Sequence, residues 1–94
     1  FHNFDNAPFR VFCEYPIYDK SENVEPCINF QVRGLPHFTC RVRLIPVDSA
    51  KLPKVRILQL GTHSRDLEFR HTKEGHIEFD APGDSSIEIR WETK

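Results

Sequence analysis

The segment Thr62-His63-Ser64-Arg65-Asp66 brings together the three residue types of a serine hydrolase. In a Ser–His–Asp triad the histidine takes a proton from the serine while the acid orients the histidine, and the three groups come from separate elements of a fold. Consecutive residues of a turn cannot be aimed at one another in this way. The chain also lacks Gly-x-Ser-x-Gly, a phosphate loop, a dinucleotide fingerprint and His-Glu-x-x-His. We therefore expect a turn leading into a strand, and no enzymatic activity.

Histidine and cysteine occur at spacings that suggest zinc. His37 and Cys40 are three residues apart, and His71 and His76 follow later in the chain. Structural zinc sites use close ligands that converge, such as Cys-x-x-Cys. Cys40 has the inward parity of a strand residue whereas His37 belongs to the preceding turn, so the two side chains should diverge. We predict no metal site and no other cofactor.

Three cysteines cannot all pair within one chain. Cys13 and Cys40 have the parity of buried strand residues, where free thiols often lie, and Cys27 is at a strand entrance beside Pro26. One disulfide with one free thiol fits a secretory compartment, and three free thiols fit the cytosol equally well. Composition therefore leaves the compartment open.

Basic residues are concentrated in the middle of the chain. Residues 31–56 carry six basic side chains against one acidic one, although the whole chain has a net charge of −1. Four of these residues have the outward parity of strands expected to be neighbours: Arg33, Arg41, Arg43 and Arg56. They form either a polar face whose charges pair across strands or a basic patch that docks an acidic protein. Because no aromatic residue is interleaved with them, we do not expect nucleic acid to bind.

Several large apolar residues break the inward pattern and are candidates for a partner surface. A contiguous exposed apolar cluster marks an interaction site. The alternative is that an edge strand and the N-terminal segment fold over the end of the domain and bury these residues. The candidates are Phe1, Phe4 and Phe12, with Leu58 and Leu60 if Val55 and Ile57 face inward.

Alternating apolar and polar residues define the strands that must position these groups. The clearest stretch runs from Pro26 to Pro46 and reads as two strands joined by a hairpin turn, which Gly34 permits through a positive φ and Pro36 fixes. Side chains alternate sides of a strand, so each apolar set can line one buried surface. The inward sets are Ile28, Phe30 and Val32 in the first strand and Phe38, Cys40, Val42 and Leu44 in the second.

The remaining strands complete an all-β domain. They are predicted at residues 9–15, 54–60 and 66–71 (with Leu67 and Phe69 inward), at Ile77 with Phe79, and at Ile87, Ile89 and Trp91, with turns at Lys73-Glu74-Gly75 and Ala81-Pro82-Gly83-Asp84-Ser85. No window has the apolar spacing of a helix. The pattern predicts a two-sheet antiparallel sandwich of about seven strands, immunoglobulin-like or fibronectin-like in layout. Residues 1–8 are interpreted as a linker or entry segment, and residues 9–94 as a single domain.

Two stretches resemble the luminal immunoglobulin-like repeats of nuclear-pore membrane-ring proteins. Gly34-Leu35-Pro36-His37-Phe38-Thr39 looks like their Gly-x-Pro-Pro-Phe-Thr hairpin, with His37 in place of the second proline. Glu74-Gly75-His76-Ile77-Glu78-Phe79, then Pro82-Gly83 and Ile87-Glu88-Ile89, is similar to their closing strands but lacks a Ser-Asp-x-x-Cys ending. The closing pattern is also similar to the Golgi-dynamics domain of cargo-receptor proteins. Either resemblance implies a structural or protein-binding sandwich of the nuclear envelope or endomembrane lumen, without catalysis.

These observations favour a non-enzymatic structural or protein-interaction module of a larger protein. Its partner would be another protein or a neighbouring domain of the same chain, bound at a sheet edge near residues 9–15 or at the face around Arg41 and Arg43. The alternative is a carbohydrate- or lipid-binding domain that uses Tyr15, Tyr18 and the Phe-rich N-terminus. A cytoplasmic location is the alternative to a luminal one. No run approaches the roughly 18 apolar residues of a membrane span, so we expect no direct membrane insertion.

Overall fold

The computed structural model describes residues 2–3, 7–19, 26–35, 37–47, 54–61 and 63–92, with the backbone alone for 2–3 and 19. In this part of the chain ten strands occur and no helix, hence none long and apolar enough to span a membrane. The strands are β1 (His2–Asn3), β2 (Phe9–Cys13), β3 (Ile17–Asp19), β4 (Cys27–Arg33), β5 (Thr39–Pro46), β6 (Val55–Leu60), β7 (Arg65–Asp66), β8 (Phe69–His71), β9 (Ile77–Pro82) and β10 (Asp84–Trp91).

The strands form two antiparallel sheets that pack face to face. Sheet A has the order β1-β2-β5-β9-β8, and sheet B has the order β3-β4-β10-β6-β7. The predicted all-β, two-sheet architecture is confirmed. The described residues hold ten strands rather than about seven because the stretch 66–71 is divided between two sheets and because two short strands, β1 and β3, lie where the alternation predicts none.

The core lies between the sheets and is built from the alternating apolar positions. The inward parity of these positions is confirmed, since Phe30, Val42 and Ile89 are fully buried. The rings of Phe9 on β2 and Trp91 on β10 meet edge to face across the two sheets, with centroids 5.5 Å apart. The other members of the core cluster are Val11, Ile28, Val32, Cys40, Leu44, Ile57, Ile77, Phe79, Ala81 and Ile87.

The predicted hairpin over residues 26–46 is wrong. Both strands exist, but β4 belongs to sheet B and β5 to sheet A, so the connection crosses from one sheet to the other. Gly34 is needed for space rather than for a positive φ, because a Cβ there would overlap the ring of Tyr15. The positive φ, +85°, occurs at Gly75 in the predicted turn before β9. Phe38 precedes β5 and is exposed instead of inward.

Two later predictions also need correction. The predicted strand 66–71 is divided: β7 pairs with β6 in sheet B, β8 pairs with β9 in sheet A, and Leu67 between them packs on the core while Phe69 is exposed. The predicted turn at 81–85 is shorter than expected, since β9 continues to Pro82 and β10 begins at Asp84. Gly83 alone carries the chain from sheet A to sheet B.

Two of the connections between the sheets, the one from β4 to β5 and the one from β9 to β10, meet at one end of the sandwich. We call these two connections the crossings. A Cβ on Gly83 would overlap the carbonyl oxygen of Leu35 and lie 2.6 Å from that of Phe38. The segment after β4 is therefore held between the ring of Tyr15 and the backbone of Gly83. We call the side chains displayed at this end, those of Tyr18, Arg33, Leu35 and Phe38, the crossing surface.

Candidate functional site

The four predicted arginines do not share one face. Arg41 and Arg43 lie on β5 in sheet A, whereas Arg33 on β4 and Arg56 on β6 lie in sheet B. All four have outward parity, but the outer faces of the two sheets point away from each other. The single basic face is therefore a wrong prediction, because the chain changes sheets between β4 and β5 and because β10 separates β4 from β6.

On the outer face of sheet A, Arg43 is committed to an internal ion pair. It lies opposite Glu78 on β9, and its Nε and Nη2 both donate to Glu78 Oε2, the former at 3.0 Å. Arg70 Nε approaches Glu78 Oε1 at 3.6 Å. Glu78 is only 8% exposed. The hydrogen bond from Arg43 lowers the pKa of the Glu78 carboxyl, against the opposing effect of desolvation.

The rest of this face is also a cross-strand pattern of opposite charges. Arg41 lies opposite Asp80, whose Oδ2 is 3.6 Å from Arg70 Nη1. The exposed ring of Phe12 lies opposite Arg43 on the neighbouring strand β2. Charges arranged in this way stabilise strand pairing, and the two carboxylates of this face are engaged by Arg43 and Arg70.

On the outer face of sheet B, as on that of sheet A, arginines bind carboxylates of the same chain. Arg56 donates from Nε to Asp66 Oδ1 at 2.7 Å and from Nη2 to Asp66 Oδ2 at 3.3 Å, and this hydrogen bonding lowers the pKa of the Asp66 carboxyl. Arg90 Nε donates to Glu88 Oε2 at 2.7 Å.

The two leucine candidates are not strongly exposed. Leu58 lies opposite Glu88 and has outward parity, yet it is only 9% exposed, and Leu60 is half-buried. Ile57 faces the core, which was the condition for predicting Leu58 and Leu60 on the outer face. Because both leucine side chains are at least half-buried, they do not form a large exposed apolar patch.

A shallow depression of about 190 Å³ lies where β6 and β10 run side by side. Cavities that bind small ligands usually have roughly 300–1,000 Å³. Two of the cations that line this depression, Arg56 and Arg90, already hold Asp66 and Glu88. Its lining residues are Lys54, Val55, Arg56, Arg90, Trp91 and Glu92.

The crossing surface holds the three most exposed large apolar residues among those described. Leu35 is 62% exposed, Phe38 57% and Tyr18 55%. Leu35 and Phe38 flank one turn, in which Phe38 N donates to Leu35 O at 3.1 Å. The guanidinium carbon of Arg33 lies 5.7 Å from the centroid of the Tyr18 ring, a cation–π arrangement. Three of the four side chains therefore come from residues 33–38, and the fourth, Tyr18, comes from β3, which pairs with β4.

Sequence reasoning found only part of this surface. The sequence predicts Arg33 as a binding residue and Tyr18 as part of the alternative ligand-binding hypothesis, but it does not single out Leu35 and it predicts Phe38 in the core. A usable signal was present, because two large apolar residues flank Pro36-His37 within a predicted turn. Turn residues are usually polar, so apolar side chains there call for an explanation other than burial in a sheet.

The cysteines occupy two different environments. Cys13 and Cys40 face inward, and their Sγ atoms are 2.8 Å apart. Burial, together with the hydrogen bond to Cys40, raises the pKa of the Cys13 thiol to about 12. Cys27 lies on sheet B, where Asn29 Nδ2 is 3.9 Å from its Sγ, and burial raises the pKa of its thiol.

The residues considered for catalysis and zinc do not converge. His63 and Ser64 are exposed, and Asp66 is bound by Arg56. His37 is exposed while Cys40 is buried, so their predicted divergence is confirmed. Within the described ranges no three His, Cys, Asp or Glu side chains are close enough to hold a metal ion.

No protein-family model, no curated protein and no solved structure matches this chain significantly.

Proposed function

We propose that this chain is a non-enzymatic protein-interaction module of a larger protein, with an immunoglobulin-like or fibronectin-like layout, and that it binds its partner through the crossing surface. The observation that carries the proposal is the concentration of exposed apolar side chains at this end, where Leu35, Phe38 and Tyr18 are each more than half exposed. On the outer faces of the two sheets, Arg43 and Arg56 are instead held in internal ion pairs with Glu78 and Asp66.

The residue types of the crossing surface suit protein recognition. Burying one large apolar side chain contributes about 1.5–3 kcal/mol, so Leu35 and Phe38 together could anchor a complex. Tyrosine and arginine are enriched among the residues that dominate binding energy, and Arg33 already stacks on Tyr18. The backbone beneath is fixed by Tyr15 and Gly83. Such preorganisation reduces the entropy lost on binding.

Partner capture with a double variant tests the proposal. Immobilised wild-type domain and the variant Leu35→Ser/Phe38→Ser are compared for the proteins that each recovers, after circular dichroism has shown that both are folded. The matched control is Val47→Ser, because Val47 is also exposed but follows the opposite end of β5. We expect the double variant to lose at least about tenfold in recovery while the control retains it. Equal recovery by the double variant and wild type would exclude the crossing surface.

The alternative binding face of sheet A needs a different substitution. Arg43 is tied to Glu78, so replacing it would disturb the fold as well as the surface. Arg41 is exposed, and Arg41→Glu changes the charge of this face without removing the Arg43 pair. Loss of partner recovery in Arg41→Glu, with Leu35→Ser/Phe38→Ser unaffected, would move the site to sheet A.

A carbohydrate- or lipid-binding domain is the second candidate, and one observation favours it. The exposed ring of Tyr18 offers an amphipathic surface on which an apolar sugar face or an acyl chain could pack. A glycan array and flotation with phosphatidylcholine vesicles provide the test, with Tyr18→Ala as the matched variant. Absence of wild-type binding in both assays would dismiss this function.

The resemblance to luminal repeats supports a location in the nuclear envelope or endomembrane lumen, with the cytoplasm as the alternative. Protease protection in sealed microsomes, followed with an antibody raised against residues 1–94, distinguishes the two. Protection that is lost on adding detergent is expected for the luminal location, and digestion without detergent for the cytoplasmic one.

A further inference from the structure

We propose that Cys13 and Cys40 are a disulfide-forming pair that joins β2 to β5 beneath the crossing surface, leaving Cys27 as a free thiol. The two Sγ atoms are 2.8 Å apart although the residues are 27 positions apart in the chain. Sulfurs in a disulfide lie about 2.0 Å apart, so bond formation requires an approach of less than about 1 Å.

The strand arrangement explains why the two thiols meet. β2 and β5 are neighbours in sheet A, with Cys13 opposite Val42. Cys40 lies two residues from Val42 and therefore projects to the same, inward side of the sheet. β2 ends at Cys13, so the bend that follows lets this residue lean toward Cys40.

The third cysteine is held apart from this pair. Cys27 is in sheet B on the outward side, opposite Arg90. Its contacts are with Ile28 and Asn29 on its own strand and with Glu88 and Arg90 on β10. Of the three pairings that three cysteines allow, only one therefore brings two inward thiols of the same sheet together.

The bond can form by exchange with a low-molecular-weight disulfide such as glutathione disulfide. While the chain folds, before burial raises the pKa of the Cys13 thiol, Cys13 loses its proton and attacks one glutathione sulfur, releasing one glutathione thiol. Cys40 then loses its proton and attacks Cys13 Sγ, releasing the second. Two protein thiols are oxidised to one disulfide while one glutathione disulfide is reduced to two thiols.

The bond would close a loop that contains the crossing surface. Tyr18, Arg33, Leu35 and Phe38 all lie between Cys13 and Cys40 in the chain. A cross-link over a loop of this length restricts the unfolded chain and raises the melting temperature by roughly 10 °C or more. Oxidation would then hold the crossing surface in place, which is the link between this inference and the proposed function.

Peptide mapping of the oxidised wild-type chain tests the pairing. Trypsin places each cysteine in its own peptide: residues 11–20, 21–33 and 34–41. The chain is refolded from denaturant in a mixture of glutathione and glutathione disulfide, blocked with N-ethylmaleimide in denaturant, digested and analysed by mass spectrometry. We expect peptide 11–20 linked to 34–41, with peptide 21–33 carrying one maleimide. Three maleimides, a stable glutathione adduct in place of the link, or a link to peptide 21–33 would each overturn the proposal.

Two single variants add a readout that does not depend on a binding partner. Cys27→Ala should form the same link and show the same rise in melting temperature on oxidation as wild type. Cys13→Ala, at the half-buried position, should show neither. If oxidation shifted wild type and Cys13→Ala equally, the proposed bond would not be its cause. The linkage is measured by mass, so failure here is distinct from failure of partner capture.

Discussion

Glu78 shows how a single residue on an outer sheet face becomes part of the framework. It lies on β9 almost out of contact with water, between Arg43 and Arg70. The hydrogen bond from Arg43 is the main reason that the pKa of the Glu78 carboxyl is lowered, and the positive charges of Arg43, Arg41 and Arg70 act in the same direction. The charged form is therefore the one that the folded state stabilises.

This lowered pKa predicts a specific loss of stability in acid. The carboxylate contributes its full stabilisation above the ordinary glutamate pKa of 4.5, and the contribution disappears as the pH falls through the lower pKa of the folded state. Replacing Glu78 by Gln should therefore flatten the pH dependence of the urea midpoint between pH 7 and pH 3, and should lower the midpoint most at neutral pH. Unfolding is followed by tryptophan fluorescence across this range.

The matched control for Glu78→Gln is Asp80→Asn. It removes one negative charge from the same face, but Asp80 is exposed and does not bind Arg43. Asp80→Asn should retain the slope of wild type over the acidic range. Parallel profiles for wild type and Glu78→Gln would show that the Arg43 pair does not contribute to stability.

At the scale of elements, the joint between β9 and β10 depends on a residue without a side chain. Gly83 transfers the chain between the sheets and packs directly on the backbone that carries Leu35 and Phe38. Backbone carbonyls cannot move aside as a flexible side chain can. The two crossings therefore constrain one another, and the shape of the crossing surface depends on both.

Replacing Gly83 by Ala should lower the free energy of unfolding by about 1–3 kcal/mol, because the new Cβ forces the crossing segments apart. Gly61→Ala is the matched control, since among the described residues no atom beyond its two chain neighbours lies within 4 Å of the position that its Cβ would take. The control should change stability by no more than about 0.5 kcal/mol. Urea unfolding measures both variants, and equal stability of the two would contradict the close packing at Gly83.

The strands themselves were largely predictable from the sequence, but their partners were not. Alternation shows which side of a strand faces the core, and it placed Phe30, Val42 and Ile89 correctly. It carries no information on which strand lies alongside. A Gly-Pro turn between two alternating runs fits a hairpin and a crossing between sheets equally well, and here β4 and β5 are in different sheets.

The same limitation explains the outcome for the candidate site. Outward parity identified the arginines, but their ion partners come from strands that are distant in sequence, as Glu78 is from Arg43. The alternation predicts Phe38 inward because the pattern continues one residue beyond the start of β5, where the chain is still passing from sheet B to sheet A. Predicting the crossing surface required knowing where the strands end, which depends on tertiary packing.

At the scale of the whole molecule, the packing of sheet A against sheet B fixes the positions of all the surfaces described above. Strand hydrogen bonds hold each sheet together but do not join the two. The sheets are held by apolar burial between them, and Phe9 with Trp91 adds a directional contact because the two rings meet nearly perpendicularly, at 83°. Such edge-to-face pairs contribute about 0.5–1.5 kcal/mol beyond burial.

A double-mutant cycle isolates this contact. Phe9→Leu and Trp91→Leu keep apolar volume in the core, and their combined effect on the free energy of unfolding should differ from the sum of the single effects by about 0.5–1.5 kcal/mol. The control cycle pairs Trp91→Leu with Val32→Ala. Val32 lies opposite Ser85, six residues along β10 from Trp91 and so roughly 20 Å away, and these two effects should add. A Phe9–Trp91 coupling as small as that of the control pair would mean that undirected burial alone joins sheet A to sheet B.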